Sequence, residues 1–89
     1  MLQFRNIMAN EILVVDDNSD IRVLITGILK DQGLIVREAA NFDQAMSEIN
    51  KKLPDAAIID VKLDKGDNDG IELLTHIKSK DDDIPVIMI

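Results

Sequence analysis

Ile12-Leu13-Val14-Val15-Asp16-Asp17-Asn18 decides how this chain is read. Four apolar residues, three of them β-branched, run without a break and stop at two carboxylates. A strand with one wet face would alternate, so this run has the pattern of a strand buried on both faces, as in a parallel sheet. Immediately downstream, Ile21, Leu24, Ile25, Ile28 and Leu29 fall at i, i+3, i+4, i+7 and i+8, one stripe of an α-helix. Asn18 or Ser19 can cap its start and Gly33 can end it.

Working outward, Leu34-Ile35-Val36 reads as a second strand. Asn41 offers a cap for a second helix with Phe42, Ala45, Met46 and Ile49 inward, closed by Lys51, Lys52 and Pro54. Residues 56–61 read as a third buried strand, delivered into Asp60. A polar loop over residues 64–69 leads to a third helix marked by Ile71, Leu74 and Ile77, with Leu73 alongside. Pro85 then introduces Val86-Ile87-Met88-Ile89 as a fourth strand. Strand and helix alternate as βαβαβαβ, which right-handed crossovers turn into an open parallel sheet with helices on both faces.

At 89 residues there is room for one domain. Residues 1–10 are expected to be a disordered N-terminal extension, and residues 11–89 the folded unit. Cysteine is absent, which excludes disulfide scaffolds, zinc–thiolate sites and thiol catalysis. Ten Lys and Arg against 17 Asp and Glu leave a net charge of −7, unsuited to direct nucleic-acid binding and better suited to cations or a basic partner. No apolar stretch has the length of a membrane span, and the first ten residues lack the apolar core of a secretory signal. The expected location is the cytoplasm.

Ligand sites of such sheets lie beyond the carboxyl ends of the strands, where the strand order reverses. Asp16 and Asp17 end the first strand and Asp60 ends the third, so the three should meet at that edge. Clustered carboxylates resist ionisation unless a cation offsets their repulsion. A hard divalent ion such as Mg2+ does so with one or two carboxylates, a carbonyl and waters. A calcium loop built on Asp67, Asp69 and Gly70 fails, because Lys65 and His76 would stand at its first and last positions. His76 is expected on the outer face of its helix, the side chains of Lys62 and Lys65 in solvent, and Asp81-Asp82-Asp83 in a solvated loop. Met46 and Met88 read as core fillers.

In combination, Ile12 to Asp17, Ile58-Ile59-Asp60, Asp69-Gly70 and Pro85 to Ile89 resemble the receiver domain of two-component response regulators. The resemblance implies the flavodoxin-like (CheY-like) fold with strand order 2-1-3-4. It implies that Asp60 accepts a phosphoryl group from a sensor histidine kinase, and that the module is not an enzyme. It further implies that Asp17 and Asp60 hold Mg2+ directly, Asp16 through water, and that the backbone carbonyl of Lys62 completes the protein ligands. Asp64-Lys65-Gly66-Asp67-Asn68 stands where simple receivers carry a Met-Pro step, which is similar to the NtrX-type branch.

Receivers place a Ser or Thr one residue beyond Ile89, followed by a helix, a fifth strand with a Lys, and a closing helix. The 89 residues are therefore expected to form a partial receiver lacking the last β-α elements. Its fourth strand would be an exposed apolar edge through which copies of the chain pair, and apolar surface on the first helix's side of the sheet would be uncovered. Three readings stay open: a truncated receiver that competes for a kinase, an inactive remnant without independent switching, or one part of a complete regulator.

Overall fold

The computed structural model describes residues 10–63 and 68–89. The elements are β1 (Glu11–Val15), α1 (Ser19–Asp31), β2 (Ile35–Ala39), α2 (Phe42–Lys51), β3 (Ala56–Ile59), α3 (Asp69–Lys80) and β4 (Val86–Met88). All strands are parallel in the expected order, β2-β1-β3-β4. Most of the expected extension, and residues 64–67 of the polar loop, lie outside the described residues. Asn10 is described, and its carbonyl accepts the Ile35 N–H at 3.0 Å, so the β1–β2 ladder begins there.

The sheet is covered on two faces because β1 is apolar on both. Leu13 and Val15 point into a core with Ala39, Ala57 and Ile59, closed by Ala45 and Ile49 of α2 and Leu73 and Ile77 of α3. Ile12 and Val14 alternate to the other face, are buried, and stand outside that cluster. There α1 packs on β1 and β2.

Local chemistry sets the helix boundaries. The Asn18 side-chain oxygen accepts the N–H groups of Asp20 and Ile21 at 2.9 and 3.2 Å, capping α1. At its other end Gly33 has φ 83°, a left-handed conformation that costs glycine little. Its N–H reaches Lys30 O while the Leu34 N–H reaches Leu29 O, closing a Schellman turn. Asn41 caps α2 by accepting from the Gln44 N–H at 2.8 Å, and Gln44 reaches back to the Ala40 N–H at 2.8 Å.

Several elements differ from their sequence reading. β2 starts one residue later and runs through Arg37 and Glu38 to Ala39, because its pairing with β1 continues to Val15. These polar residues are tolerated on an outer strand, where Arg37 is paired with Glu11 and Glu48. β3 ends at Ile59 rather than Val61, the Asp60 N–H making a ladder bond to Val15 O at 2.9 Å.

α3 is rotated from the expected face. Leu73 and Ile77 are fully buried, while Ile71 is about half exposed. The cause is the seat of its first turn. The Gly70 N–H donates to Val61 O at 3.0 Å, and a Cβ on Gly70 would fall on the Asp60 carbonyl oxygen and 2.7 Å from Val61 Cα. Only a residue without a side chain fits, and that contact turns Gly70, Leu73 and Ile77, spaced i, i+3 and i+7, toward the sheet.

His76 is likewise not on an outer face. It is half-buried between α2 and α3, with Nε2 3.0 Å from Asn50 Oδ1. On α1 the apolar stripe is largely open, with Leu24 60% and Ile28 55% exposed and Thr26 the buried residue of the helix. Ile87 on β4 is 59% exposed. Among the described residues nothing covers these side chains, in line with the uncovered surface expected on this side of the sheet.

Two glycines separate propensity from packing. Nothing lies within 4 Å of a Cβ placed on Gly27 of α1. Gly27→Ala is therefore expected to stabilise the fold by about 0.5–1 kcal/mol, from helix propensity alone. Gly70→Ala is expected to destabilise it by about 1–3 kcal/mol, as overpacking does. Urea unfolding midpoints moving in opposite directions would check both.

Candidate functional site

β1 and β3 pair in register, Val14 beside Ile58 and Val15 beside Ile59. The residues that follow, Asp16 and Asp60, therefore leave the sheet side by side. One carboxylate oxygen from each of Asp16, Asp17 and Asp60 lies within 4.8 Å of the others. The sequence expectation that these three meet is met.

Their environments differ. Asp16 is only 5% exposed and held from three sides. Its N–H donates to Ala39 O at 3.2 Å, its Oδ1 accepts the Asn18 N–H at 2.9 Å, and its carbonyl accepts from Arg22 Nη1 at 2.8 Å. Asp17 is exposed, and among the described residues none hydrogen-bonds its carboxylate. Asp60 is half-buried, and its Oδ1 accepts the Lys62 N–H at 3.1 Å.

Burial raises the pKa of Asp60 above the usual aspartate value. The Lys62 N–H opposes the rise, while the charges of Asp16 and Asp17 and a side-chain hydrogen bond with Asp16 add to it. The acid at the centre of the cluster is thus reluctant to ionise without a compensating cation. Three hard oxygen donors this close fit a small divalent ion such as Mg2+, which takes oxygen ligands and keeps several waters.

Lys62 occupies the bend after Asp60 with its side chain exposed, as expected. Asp69 does not stay in the polar loop where the sequence reading left it. It is the first residue of α3 and only 4% exposed. Asp64, Lys65, Gly66 and Asp67 lie outside the described residues. Two contacts at the site were not read from the sequence, those of Gly70 and Arg22. Gly70 carried a signal as part of the Asp69-Gly70 pair, but its contact with the backbone of Asp60 and Val61 has none. Arg22 lies on α1, in a helical pattern that explains an exposed polar residue without any role.

Residues 12–89 match the sequence profile of the response regulator receiver domain. The chain belongs to that family. This receiver is 43% identical over 82 residues to the nitrogen assimilation regulatory protein NtrX of Azorhizobium caulinodans, a match covering 92% of the chain and 18% of the relative. It is thus similar to a small part of a much longer protein. Among solved structures, the NtrX receiver domain of Brucella abortus superposes with a TM-score of 0.77 at 43% identity, over 86% of this chain and 64% of that one. TrrA of Thermotoga maritima, solved with Mg2+–BeF, gives 0.79 at 30% identity, over 91% and 68%. The CheY-like fold and the NtrX-like character are as expected. Receiver domains are in general signalling modules and not enzymes, and they bind Mg2+ through acidic residues. Among the described residues no helix is long and apolar enough to cross a membrane.

The raised pKa of Asp60 has a sign that can be measured. Such a group binds its proton more tightly in the folded state. Its support for the fold is complete below the unfolded pKa and is lost as pH rises through the folded one. Asp60→Asn removes this loss, so without divalent cations the variant is expected to melt above the wild type at pH 7. The gap should close as pH falls through the raised pKa toward the ordinary aspartate range. Calorimetric scans across that range would check it, and a gap independent of pH would refute the raised pKa.

Proposed function

We propose that this chain is the phosphoacceptor receiver of a two-component response regulator, taking a phosphoryl group on Asp60 from a sensor histidine kinase in a Mg2+-dependent reaction. The convergence of Asp16, Asp17 and Asp60 at one sheet edge carries this reading. Asp17 and Asp60 are assigned as direct Mg2+ ligands, Asp16 as a ligand through water, and the Lys62 backbone carbonyl as the remaining protein donor. When bound, Mg2+ neutralises charge on the transferring phosphoryl oxygens.

The chain's own residues supply the rest. An Asp60 carboxylate oxygen attacks the phosphorus of a phosphohistidine, a P–O bond forms as the P–N bond breaks, and the leaving imidazole takes up a proton. The Lys62 N–H, already on Asp60 Oδ1, orients the carboxylate so that the other oxygen is the nucleophile. The acyl phosphate carries added negative charge beside Asp16 and Asp17, and the surrounding loops must rearrange to accommodate it. The contact of Gly70 with Asp60 and Val61 gives α3 a direct mechanical link to that event.

The net charge of −7 supports a segment that does not itself contact nucleic acid, and the proposed partnership with a sensor kinase places it in the cytoplasm.

The test is labelling by acetyl phosphate in Mg2+. Wild-type protein is expected to take up one phosphoryl group, and Asp60→Asn none while keeping a dispersed amide NMR spectrum. Label surviving in Asp60→Asn would overturn the acceptor assignment, and a folded wild type that takes no label would favour the inactive remnant. In Mg2+ titrations Asp17→Ala is expected to weaken binding more than Asp16→Ala, and equal losses would overturn the division into direct and water-mediated ligands.

A further inference from the structure

We infer that Arg22, secured by Glu38, is a positioning residue for the acidic pocket, setting its Mg2+ affinity without touching the ion. The inference rests on the reading of that pocket as a Mg2+ site.

Arg22 leaves α1 and bonds in two directions. Nη1 donates to the carbonyl of Asp16 at 2.8 Å, and Nε pairs with Glu38 Oε1 of β2 at 3.1 Å. The arginine side chain is 18% exposed, and its bond to the Asp16 carbonyl is partly buried while the pair with Glu38 faces solvent. A single guanidinium thereby ties α1, β2 and the turn after β1.

The bonded oxygen matters because it belongs to the peptide group joining Asp16 to Asp17. That group is planar, so fixing its carbonyl also fixes the direction in which Asp17 leaves. Asp16 has two further restraints, through Ala39 O and the Asn18 N–H. The Asp17 carboxylate has no hydrogen-bond donor of its own among the described residues, so its approach to Asp60 depends on the backbone that Arg22 grips.

Charge and geometry predict opposite signs. Considered only as a cation beside an acidic pocket, Arg22 repels Mg2+, and its removal should tighten binding. As the brace of the Asp16–Asp17 peptide, its removal should loosen binding. Losing a side chain that orients metal ligands commonly costs about 10–100-fold in affinity. Lysine keeps the charge but not the fork that reaches two acceptors from one planar group.

The experiment is a Mg2+ titration followed by amide NMR and calorimetry on the wild type, Arg22→Ala and Arg22→Lys, with thermal unfolding of each recorded in chelator. The expected result is Mg2+ binding about tenfold weaker in Arg22→Ala, and weaker than wild type in Arg22→Lys, both with dispersed spectra. Affinity equal to or tighter than wild type in Arg22→Ala would overturn the inference while leaving the metal site standing. A lowered melting temperature with unchanged affinity would reduce Arg22 to a structural tether and overturn it too. Should Arg22→Ala not fold, the lysine variant decides, wild-type affinity there overturning the inference. A folded wild type showing no Mg2+-dependent change would overturn both the inference and the metal-site reading beneath it.

Discussion

The in-register parallel pairing of β1 with β3 is the constraint on which the rest of this molecule depends. It sets Val15 beside Ile59, so the next residues, Asp16 and Asp60, emerge together at the carboxyl edge of the sheet. A one-residue slip would exchange the faces of every apolar side chain on one strand and separate the carboxylates. The slip is opposed because both faces are committed, Leu13 and Val15 to the α2–α3 core and Ile12 and Val14 to the side that α1 covers. Burial of apolar groups thus fixes the position of charged ones.

That arrangement opposes itself electrostatically. Burial and two neighbouring carboxylates raise the pKa of Asp60, so the folded state holds a group that would be easier to ionise in the unfolded chain. The protein offsets this with backbone donors, the Asn18 N–H on Asp16 and the Lys62 N–H on Asp60. In the proposed function a divalent cation would complete the compensation and a phosphoryl group would disturb it. Occupancy of the pocket would then be coupled to the stability of the fold through the same three carboxylates.

The scaffold is uneven on its two sides. The α2–α3 side is a closed core with two fully buried residues of α3, whose seat is determined by Gly70 against the Asp60–Val61 backbone. The α1 side leaves Leu24, Ile28 and Ile87 in large part exposed among the described residues. The helix that touches the Asp60–Val61 backbone is well packed, whereas α1 packs on β1 and β2 with much of its apolar stripe exposed and is tied to the Asp16–Asp17 turn through Arg22.

Much of this was legible in the sequence, for physical reasons. An unbroken Ile12 to Val15 run identifies a strand buried on both faces, the βαβ alternation and right-handed crossovers order the sheet, and Asp16, Asp17 and Asp60 follow as a cluster at its carboxyl edge. These inferences need only periodicity and topology. The extension of β2 through Arg37 and Glu38 was not legible, because polar residues on an outer strand leave no apolar signature. Nor was the rotation of α3 toward Leu73, or the placing of His76 against Asn50, since both follow from how the helix docks and not from its own spacing. The sequence by itself determined the fold and which acids share an edge, because burial patterns are local and additive along the chain. Only the tertiary structure decided which residues hold those acids in place. The Arg22 bond to Asp16 O and the Gly70 contact with Asp60 join backbone to residues 6 and 10 positions away, a geometry that no pattern of side-chain types encodes.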